Sequence, residues 1–430
     1  MTKTASTSSL NLAPAQPQHG AQPARPEPAH ADTLRAPRRC AIAFCENGAG
    51  YGGAVISLEA MLAKLPAEFA PHIYTGLATE PYPRLERLGR WRHMRAFNVL
   101  DPEMLRRRRV PFASLIDNLA NVLPTALAYS WRFKRDAIDL VYLNNDASCN
   151  LPAALGAKLA GLPTVLHARG FNADTRSNRW VLGNLAHSLP VSTAVRAELV
   201  QLGLAPDKCT VVAEGLDLDA FSPRAPSPAL RAELGIGPDE PVVTLVGGLV
   251  DWKGQDVLLD AAPAILRRYP RAHLLLVGSA YGKDRAFAEQ VALRAQDPAL
   301  GGRVRLLGMR NDVPAILALS TIVLHASTKP EPFGRTFLEG MALGKAVIAS
   351  NEGGPLDVIE DGVDGLLIAP RDADGLAAAV LRLLDDPAFA AALAARAAVK
   401  ARAYSIERHT EAVCEVLRGI GPAGRRGVPS

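Results

Sequence analysis

The chain has 430 residues, 48% hydrophobic and 21% charged, with a net charge of +5. That composition sustains packed cores in two domains and excludes a wholly disordered or fibrous polymer. Its five cysteines, Cys40, Cys45, Cys149, Cys209 and Cys414, match no disulfide framework or metal site, which fits a reducing compartment.

Residues 1–37 are rich in Ala, Pro, Ser and Gln, carry no apolar run of the signal-peptide kind, and read as a disordered tail. CAIAFC (40–45) reads as a strand, ENGAGYGGA (46–54) as a glycine-rich loop, and VISLEAMLAKL as a helix. The loop is not GxGxxG, so dinucleotide binding is no better supported than a tight turn. Strands are expected at 72–78, 139–145, 164–170, 187–192 and 208–215, separated by helical segments. Residues 81–110 hold nine Arg (84, 87, 90, 92, 95 and 106–109) against Glu86, Asp101 and Glu103, a local charge of +6. Such a cluster suits an anionic partner, or is a solvated face; no nucleic-acid motif accompanies it. Residues 111–131 come nearest to a membrane span, but Asp117, two Asn and Pro124 inside them predict a globular helix pair instead.

Five prolines in 221–241 mark a domain boundary. A second strand–helix series follows, with strands at 241–249, 272–280, 303–309, 321–327, 345–350 and 364–370. Residues 371–403 read as alanine-rich helix, 405–420 as a last amphipathic helix and 421–430 as a polar tail. The expected domains are therefore 38–223 and 224–404, both doubly wound α/β with parallel sheets. A cleft between them is the default ligand site.

The stretch KPEPFGRTFLEGMALG (329–344) raises the sharpest chemical question. Glu331 falls in a loop after a buried strand, and Glu339 about one turn into the next helix, which stops at Gly344. Two carboxylates so placed can accept hydrogen bonds from sugar hydroxyls, while the N–H groups from Phe333 through Gly334 and Arg335 to Thr336 face an anion. Two surface glutamates are the bland alternative. In VGGLVDWKGQ, Lys253 follows the Gly247–Gly248 strand end, where a lysine can meet a diphosphate. His167 ends the strand TVLHARG and is either a donor to a substrate oxygen or a capped core histidine. The DxD pairs Asp217/Asp219 and Asp372/Asp374 read as turn and helix-cap residues, so no metal site is expected.

Taken together, the block 329–370 resembles the E-P-F-G…E and G-G-P…E…D-G…G-L-L elements of the retaining glycosyltransferases of family 4, which have the two-domain GT-B fold. GYGGA, VSTAVRAEL (191–199), EGLDLDAFSP (214–223) and WKGQ (252–255) support the resemblance, which covers nearly all of 38–420. It implies that Glu331 and the backbone of Phe333 and Gly334 contact a donor sugar. Glu339 would bind the nucleotide ribose, Lys253 the diphosphate and His167 the sugar, and the helix 405–420 would cross back to the N-terminal domain, as in related folds. The base would lie near Met309 and Val313, and Gly52 and Gly53 would let the first loop approach the phosphates. Two departures stand out. Gly248 occupies a position where the family commonly has Arg, leaving a phosphate contact to Arg335 or Arg169, and Glu214 stands where Asn is frequent.

The expected function is transfer of a hexose from a UDP- or GDP-sugar to an acceptor hydroxyl with retention. No cofactor is needed, and the acceptor is a glycan or lipid-linked molecule in cell-envelope polysaccharide, lipopolysaccharide or exopolysaccharide biosynthesis. The expected place is cytoplasmic, at the inner face of the membrane, with Arg106, Arg107, Arg108 and Arg109 contacting acceptor or anionic lipid, and with no nucleic-acid partner. A non-catalytic sugar-nucleotide or polysaccharide-binding protein of the same fold, and a nucleotide-sugar 2-epimerase, remain alternatives.

Overall fold

The computed structural model describes residues 38–48, 50, 52–96, 116–280 and 284–421. The first half builds a six-stranded sheet from β1 (Cys40–Glu46), β2 (Phe69–Thr75), β3 (Arg90–His93), β4 (Leu140–Asn145), β5 (Thr164–Ala168) and β6 (His187–Ser188), in the order β3-β2-β1-β4-β5-β6. The second half repeats the plan with β7 (Val242–Val246), β8 (His273–Val277), β9 (Val304–Gly308), β10 (Ile322–His325), β11 (Ala346–Ser350) and β12 (Leu366–Ile368), in the order β12-β11-β10-β7-β8-β9. Every neighbouring pair is parallel. The central strands are apolar on both faces because helices cover both sides, as the uninterrupted burial from Ala41 to Glu46 shows. Strand order reverses between β1 and β4 and between β7 and β10, and loops leaving the carboxyl ends at such points are the ligand-binding positions of open α/β sheets.

Alternation sorts each strand between two cores. On β5, Leu166 and Ala168 join one core with helix residues of both halves, such as Leu182 and Phe337. Val165 faces the other, with Ile42, Phe44, Val55 and Leu58. That second core is closed by Ile406, Val413 and Leu417 of the last helix, Ile406–Ile420. Leu216 N donates to Tyr404 O, and Ile406 N to Leu216 O, both at 2.9 Å, where the chain returns to the first half. At the surface Lys64 pairs with Glu407 and Arg418 with Glu68, each at 2.8 Å.

Five local expectations need correction. Residues 208–215 are not a strand: Lys208 ends a 3-10 turn, and the chain then runs beside β6 with one bridge between Ser188 and Cys209. Pro190 removes a ladder donor just past Ser188 and cuts β6 to two residues. β3, RWRH, was missed because its arginines mask a short edge strand, which charge suits. The proline-rich boundary holds a helix, Pro228–Glu233, started by Ser227 accepting from Leu230 N. Instead of a helix pair, residues 116–135 form one continuous helix whose turn Asn118–Val122 is π-helical, ahead of Pro124, which has no N–H to give. Residues 111–115 lie outside the described part. Among the described residues no helix is long and apolar enough to cross a membrane.

Candidate active site

The loops after β7 and β10, neighbours in the sheet, place Lys253 against Glu331. Lys253 is carried to the site by a glycine turn. Gly254 has φ +79, and a Cβ there would lie 1.9 Å from Ala326 O, so only glycine lets the chain pass this close to the end of β10 and begin the helix Gln255–Arg268. Trp252 O accepts from Thr328 N at 2.8 Å and locks the two loops together. Lys253 Nζ lies 4.0 Å from the Trp252 ring centroid and 2.7 Å from Glu331 Oε2.

Glu331 is buried. Ser327 Oγ donates to the same Oε2 at 2.8 Å, and His325 Nε2 is 3.2 Å from it. Burial alone would keep this carboxyl protonated, but Lys253 and then His325 overcome it and hold its pKa below the ordinary carboxylate range. All three donors converge on Oε2, and Oε1 accepts no hydrogen bond among the described residues. The backbone of Glu331 is fixed too: its carbonyl accepts from Gly354 N at 2.8 Å, and a Cβ on Gly353 (φ +78) would sit 2.2 Å from that oxygen.

Gly334 (φ +97) opens the helix Arg335–Ala342, and no side chain caps it. Its first-turn N–H groups therefore present a partial positive charge beside the Lys253–Glu331 pair. Thr336 Oγ1 is spent on Val246 O at 3.2 Å, tying the helix to the end of β7. Glu339 is buried one turn in, with Arg335 Nη2 at 3.6 Å. Burial raises its pKa, and Arg335 only partly opposes this.

Arg335 reaches across to the first half. Its Nη1 donates to Ser57 Oγ at 2.5 Å and lies 4.0 Å from Glu214 Oε2. A Cβ on Gly53 would be 3.6 Å from its Cδ, while Gly52 has nothing within 4 Å of such an atom. The glycine loop after β1 is thus brought up to the helix that carries Glu339. Gly247 packs on the Lys253 stem, and Gly248 O accepts from Gln255 Nε2 at 2.9 Å. Met309 is exposed at the end of β9, and Val313 starts the helix Val313–Leu319.

His167 does not join this group. Its ring shares the face of Val165, under the returning C-terminal helix, and stacks on His409 with centroids 5.3 Å apart. It is fully buried, Nδ1 contacts Tyr142 OH, and burial followed by the Arg169 charge lowers its pKa well below the usual value. Its Nε2 is buried and has no hydrogen-bond partner among the described residues. Arg169 is excluded as a replacement for the arginine missing at Gly248. It is buried and committed, with Nη1 2.6 and 2.7 Å from the Glu214 oxygens and Nε 2.8 Å from Asn144 Oδ1. The +6 segment is also less cationic in space than in sequence: Arg84 pairs with Glu80, Arg87 with Glu59 and Arg92 with Asp136. Arg106 to Arg109 lie outside the described residues. Asp217 and Asp372 serve a turn and a helix cap, accepting from Asp219 N and Gly375 N.

Sequence reasoning missed Glu46. This buried carboxylate ends β1, accepts from Gly48 N at 2.8 Å and from Asn144 Nδ2, and so shapes the glycine loop; burial raises its pKa. An acid closing an otherwise apolar strand just before a glycine loop was the available signal.

Comparison with known proteins accounts for both halves. The model of glycosyl transferases group 1 matches residues 226–402, and that of Glycosyltransferase Family 4 matches residues 51–220. The chain belongs to glycosyltransferase family 4. The family 4 chain is 34% identical over 219 residues to the D-inositol 3-phosphate glycosyltransferase of Rhodococcus opacus (strain B4), which is 50% of this chain and 49% of that relative. The enzyme of the same name from Mycobacterium avium (strain 104) is 34% identical over 216 residues, 50% of each chain. The chain thus spans about half the length of the curated relatives it matches. Among solved structures, Anabaena Alr3699/HepE in complex with UDP-glucose superposes with a TM-score of 0.74 at 24% identity, covering 88% of this chain and 99% of that one. WaaG, a glycosyltransferase involved in lipopolysaccharide biosynthesis, superposes at 0.63 with 17% identity, covering 88% and 100%. The two sheets are the GT-B architecture of these structures.

Proposed function

We propose that the chain is a retaining glycosyltransferase that moves a hexose from a UDP- or GDP-sugar to an acceptor hydroxyl. The observation that carries this reading is the Lys253–Glu331 pair beside the uncapped helix that bears Arg335 and Glu339. Glu331 Oε1 and the N–H groups after Gly334 suit the sugar and the phosphate to which it is joined, and Glu339 suits the ribose diol. UDP-glucose bound to Alr3699/HepE makes uridine donors the first to test.

In the reaction, the bond from the anomeric carbon to the β-phosphate oxygen breaks, and a bond to the acceptor oxygen forms on the same face. The acceptor proton passes to a phosphate oxygen of the leaving diphosphate, so no side-chain nucleophile is needed. Lys253 keeps N–H groups beyond the one given to Glu331. With Arg335 and the helix N-terminus, it would stabilise the departing negative charge. Arg335, by gripping Ser57, would also hold the halves together and limit hydrolysis of the donor. Acceptor recognition falls to the first half, where Arg106–Arg109 would meet a glycan or lipid-linked acceptor at the inner face of the cell membrane. The family resemblance favours a role in cell-envelope polysaccharide, lipopolysaccharide or exopolysaccharide biosynthesis.

One observation favours a second reading. Gly248 removes a cation, and a non-catalytic sugar-nucleotide binder tolerates that better than an enzyme does. Calorimetric titration with UDP- and GDP-sugars, followed by donor-hydrolysis and transfer assays, separates the two. Binding of one donor with turnover, both lost in Glu339→Ala, supports the transferase. Binding without turnover on any acceptor supports the second reading, and no binding at all defeats both.

A further inference from the structure

The helix over 116–135 is inside out. Its buried side carries Asn121, Thr125, Tyr129 and Ser130 beside Ala126 and Phe133. This side packs so closely on the helix Leu151–Ala160 that a Cβ on Gly156 would lie 2.6 Å from Tyr129 Cβ. The polar groups find partners: Asn121 Nδ2 donates to Asp117 Oδ1 and Thr125 Oγ1 to Asn121 O, both at 2.7 Å, and Tyr129 OH donates to Asn47 Oδ1 at 2.9 Å. The outer side holds the large apolar residues. Leu119 is 58% exposed, Leu123 37%, Leu127 54% and Trp131 56%. At four-residue spacing they form one continuous stripe about 18 Å long, at about 1.5 Å rise per residue. Exposed apolar side chains scattered singly are ordinary, but a contiguous row marks an interaction surface.

Charge decides what covers the row. At its carboxyl end, the guanidiniums of Arg132 and Arg135 lie 5.0 and 5.1 Å from the Trp131 ring centroid, and Lys134 stands exposed between them in sequence. None of these three cations joins an ion pair among the described residues. The one acid in the helix, Asp117, accepts from Asn121, and Asp136 just past its end is held by Tyr74 OH and Arg92, so a second copy laid on this helix would offer its cations no free acid. An anionic bilayer fits instead: leucines enter the acyl boundary, the indole sits at headgroup level and the cations meet lipid phosphates.

We propose that the stripe Leu119–Leu123–Leu127–Trp131, with Arg132, Lys134 and Arg135, is a docking surface for an anionic membrane. It holds whether or not the chain transfers a hexose, because lipid binding needs no donor. The test is flotation of the full chain with vesicles of phosphatidylglycerol and phosphatidylcholine, and with phosphatidylcholine alone. Wild type should float with the anionic vesicles preferentially. The double variant Leu123→Gln/Leu127→Gln should lose roughly tenfold or more in partitioning, since binding scales with buried apolar area. Arg132→Gln/Lys134→Gln/Arg135→Gln should lose the preference for anionic lipid and its salt dependence. Acyl-brominated lipids should quench Trp131 fluorescence, a component missing in Trp131→Phe. Unchanged thermal midpoints establish that the variants are folded. Equal flotation of the leucine variant and wild type overturns the proposal, as does equal wild-type flotation with both vesicles. So does a wild type that does not float but forms a dimer that the leucine variant dissolves, which makes the stripe a contact between copies.

Discussion

Lys253→Met tests the centre of the site. At 2.7 Å, the Lys253–Glu331 attraction is about 6 kcal/mol at an effective dielectric of about 20. The net loss is smaller. The Lys253 side chain is 22% exposed and recovers hydration when released, and Glu331 keeps Ser327 and His325 as donors. Removing one partner of a fully buried pair costs about 3–5 kcal/mol, so about 2–3 kcal/mol is expected here. At about 2.1 cal/mol/K per residue, this lowers the unfolding midpoint of a chain this long by about 3 °C. The pH dependence supplies a second check. Glu331 is held below its ordinary pKa in the folded state. Its contribution is therefore fully present above the unfolded value of about 4.3 and is lost as pH falls below it. The destabilisation of Lys253→Met should shrink as pH drops through about 4. Thermal unfolding of both proteins from pH 7 downward measures this. A midpoint at pH 7 within about one degree of wild type, or a shift that keeps its size down to about pH 3, would refute the picture of Lys253 as the charge that keeps Glu331 ionised.

Glu214→Gln should be more costly, about 3–5 kcal/mol in urea unfolding at pH 7, because it strands the buried Arg169 guanidinium. Burial raises the Glu214 pKa, but Arg169 outweighs it and brings the folded value to about 2. The stability it contributes is present above about 4.3 and lost as pH falls towards 2, so the acid limb of the wild type should flatten in the variant. Gly254→Ala should lose more than about 3 kcal/mol or fail to fold, from a positive φ and a Cβ at 1.9 Å from a carbonyl. Gly50→Ala, with nothing within 4 Å of its Cβ, should stay within about 0.5 kcal/mol of wild type on the same unfolding curves. Arg335→Gln should weaken calorimetric binding of the preferred nucleotide sugar by roughly tenfold or more, the scale of a charge-assisted contact of about 1.5–3 kcal/mol. Unchanged affinity would reduce Arg335 to a strut between the halves.

How far the sequence could be read depended on how local each signal was. Helix starts were legible where a side chain makes the cap, as with Ser405, whose Oγ accepts from Arg408 N. The alanine-rich stretch 371–403 divides at Asp386–Pro387, where Asp386 caps a second helix by accepting from Phe389 N. That Asp-Pro pair was visible as a boundary and was passed over. The short edge strand β3 was not legible, because its pairing with β2 uses backbone groups that any sequence supplies.

The sequence by itself determined the strand–helix alternation, the two halves, the helix stop at Gly344 (φ +67) and the loops that hold Lys253 and Glu331. These follow from periodicity and from glycines at positive φ, which act over a few residues. Only the tertiary structure decided that Glu331 fills one oxygen and leaves the other, that Arg335 crosses to Ser57, and that Arg169 is locked by Glu214. It also decided that His167 faces a buried ring, because the helix that covers it comes from more than two hundred residues further along the chain. The leucines at 119, 123 and 127 share one helix face by their spacing. Spacing fixes which residues share a face, but which face is buried depends on what packs against it. Here the small residues Ala126, Ser130 and Gly156 allow the closer approach and turn the leucines outward.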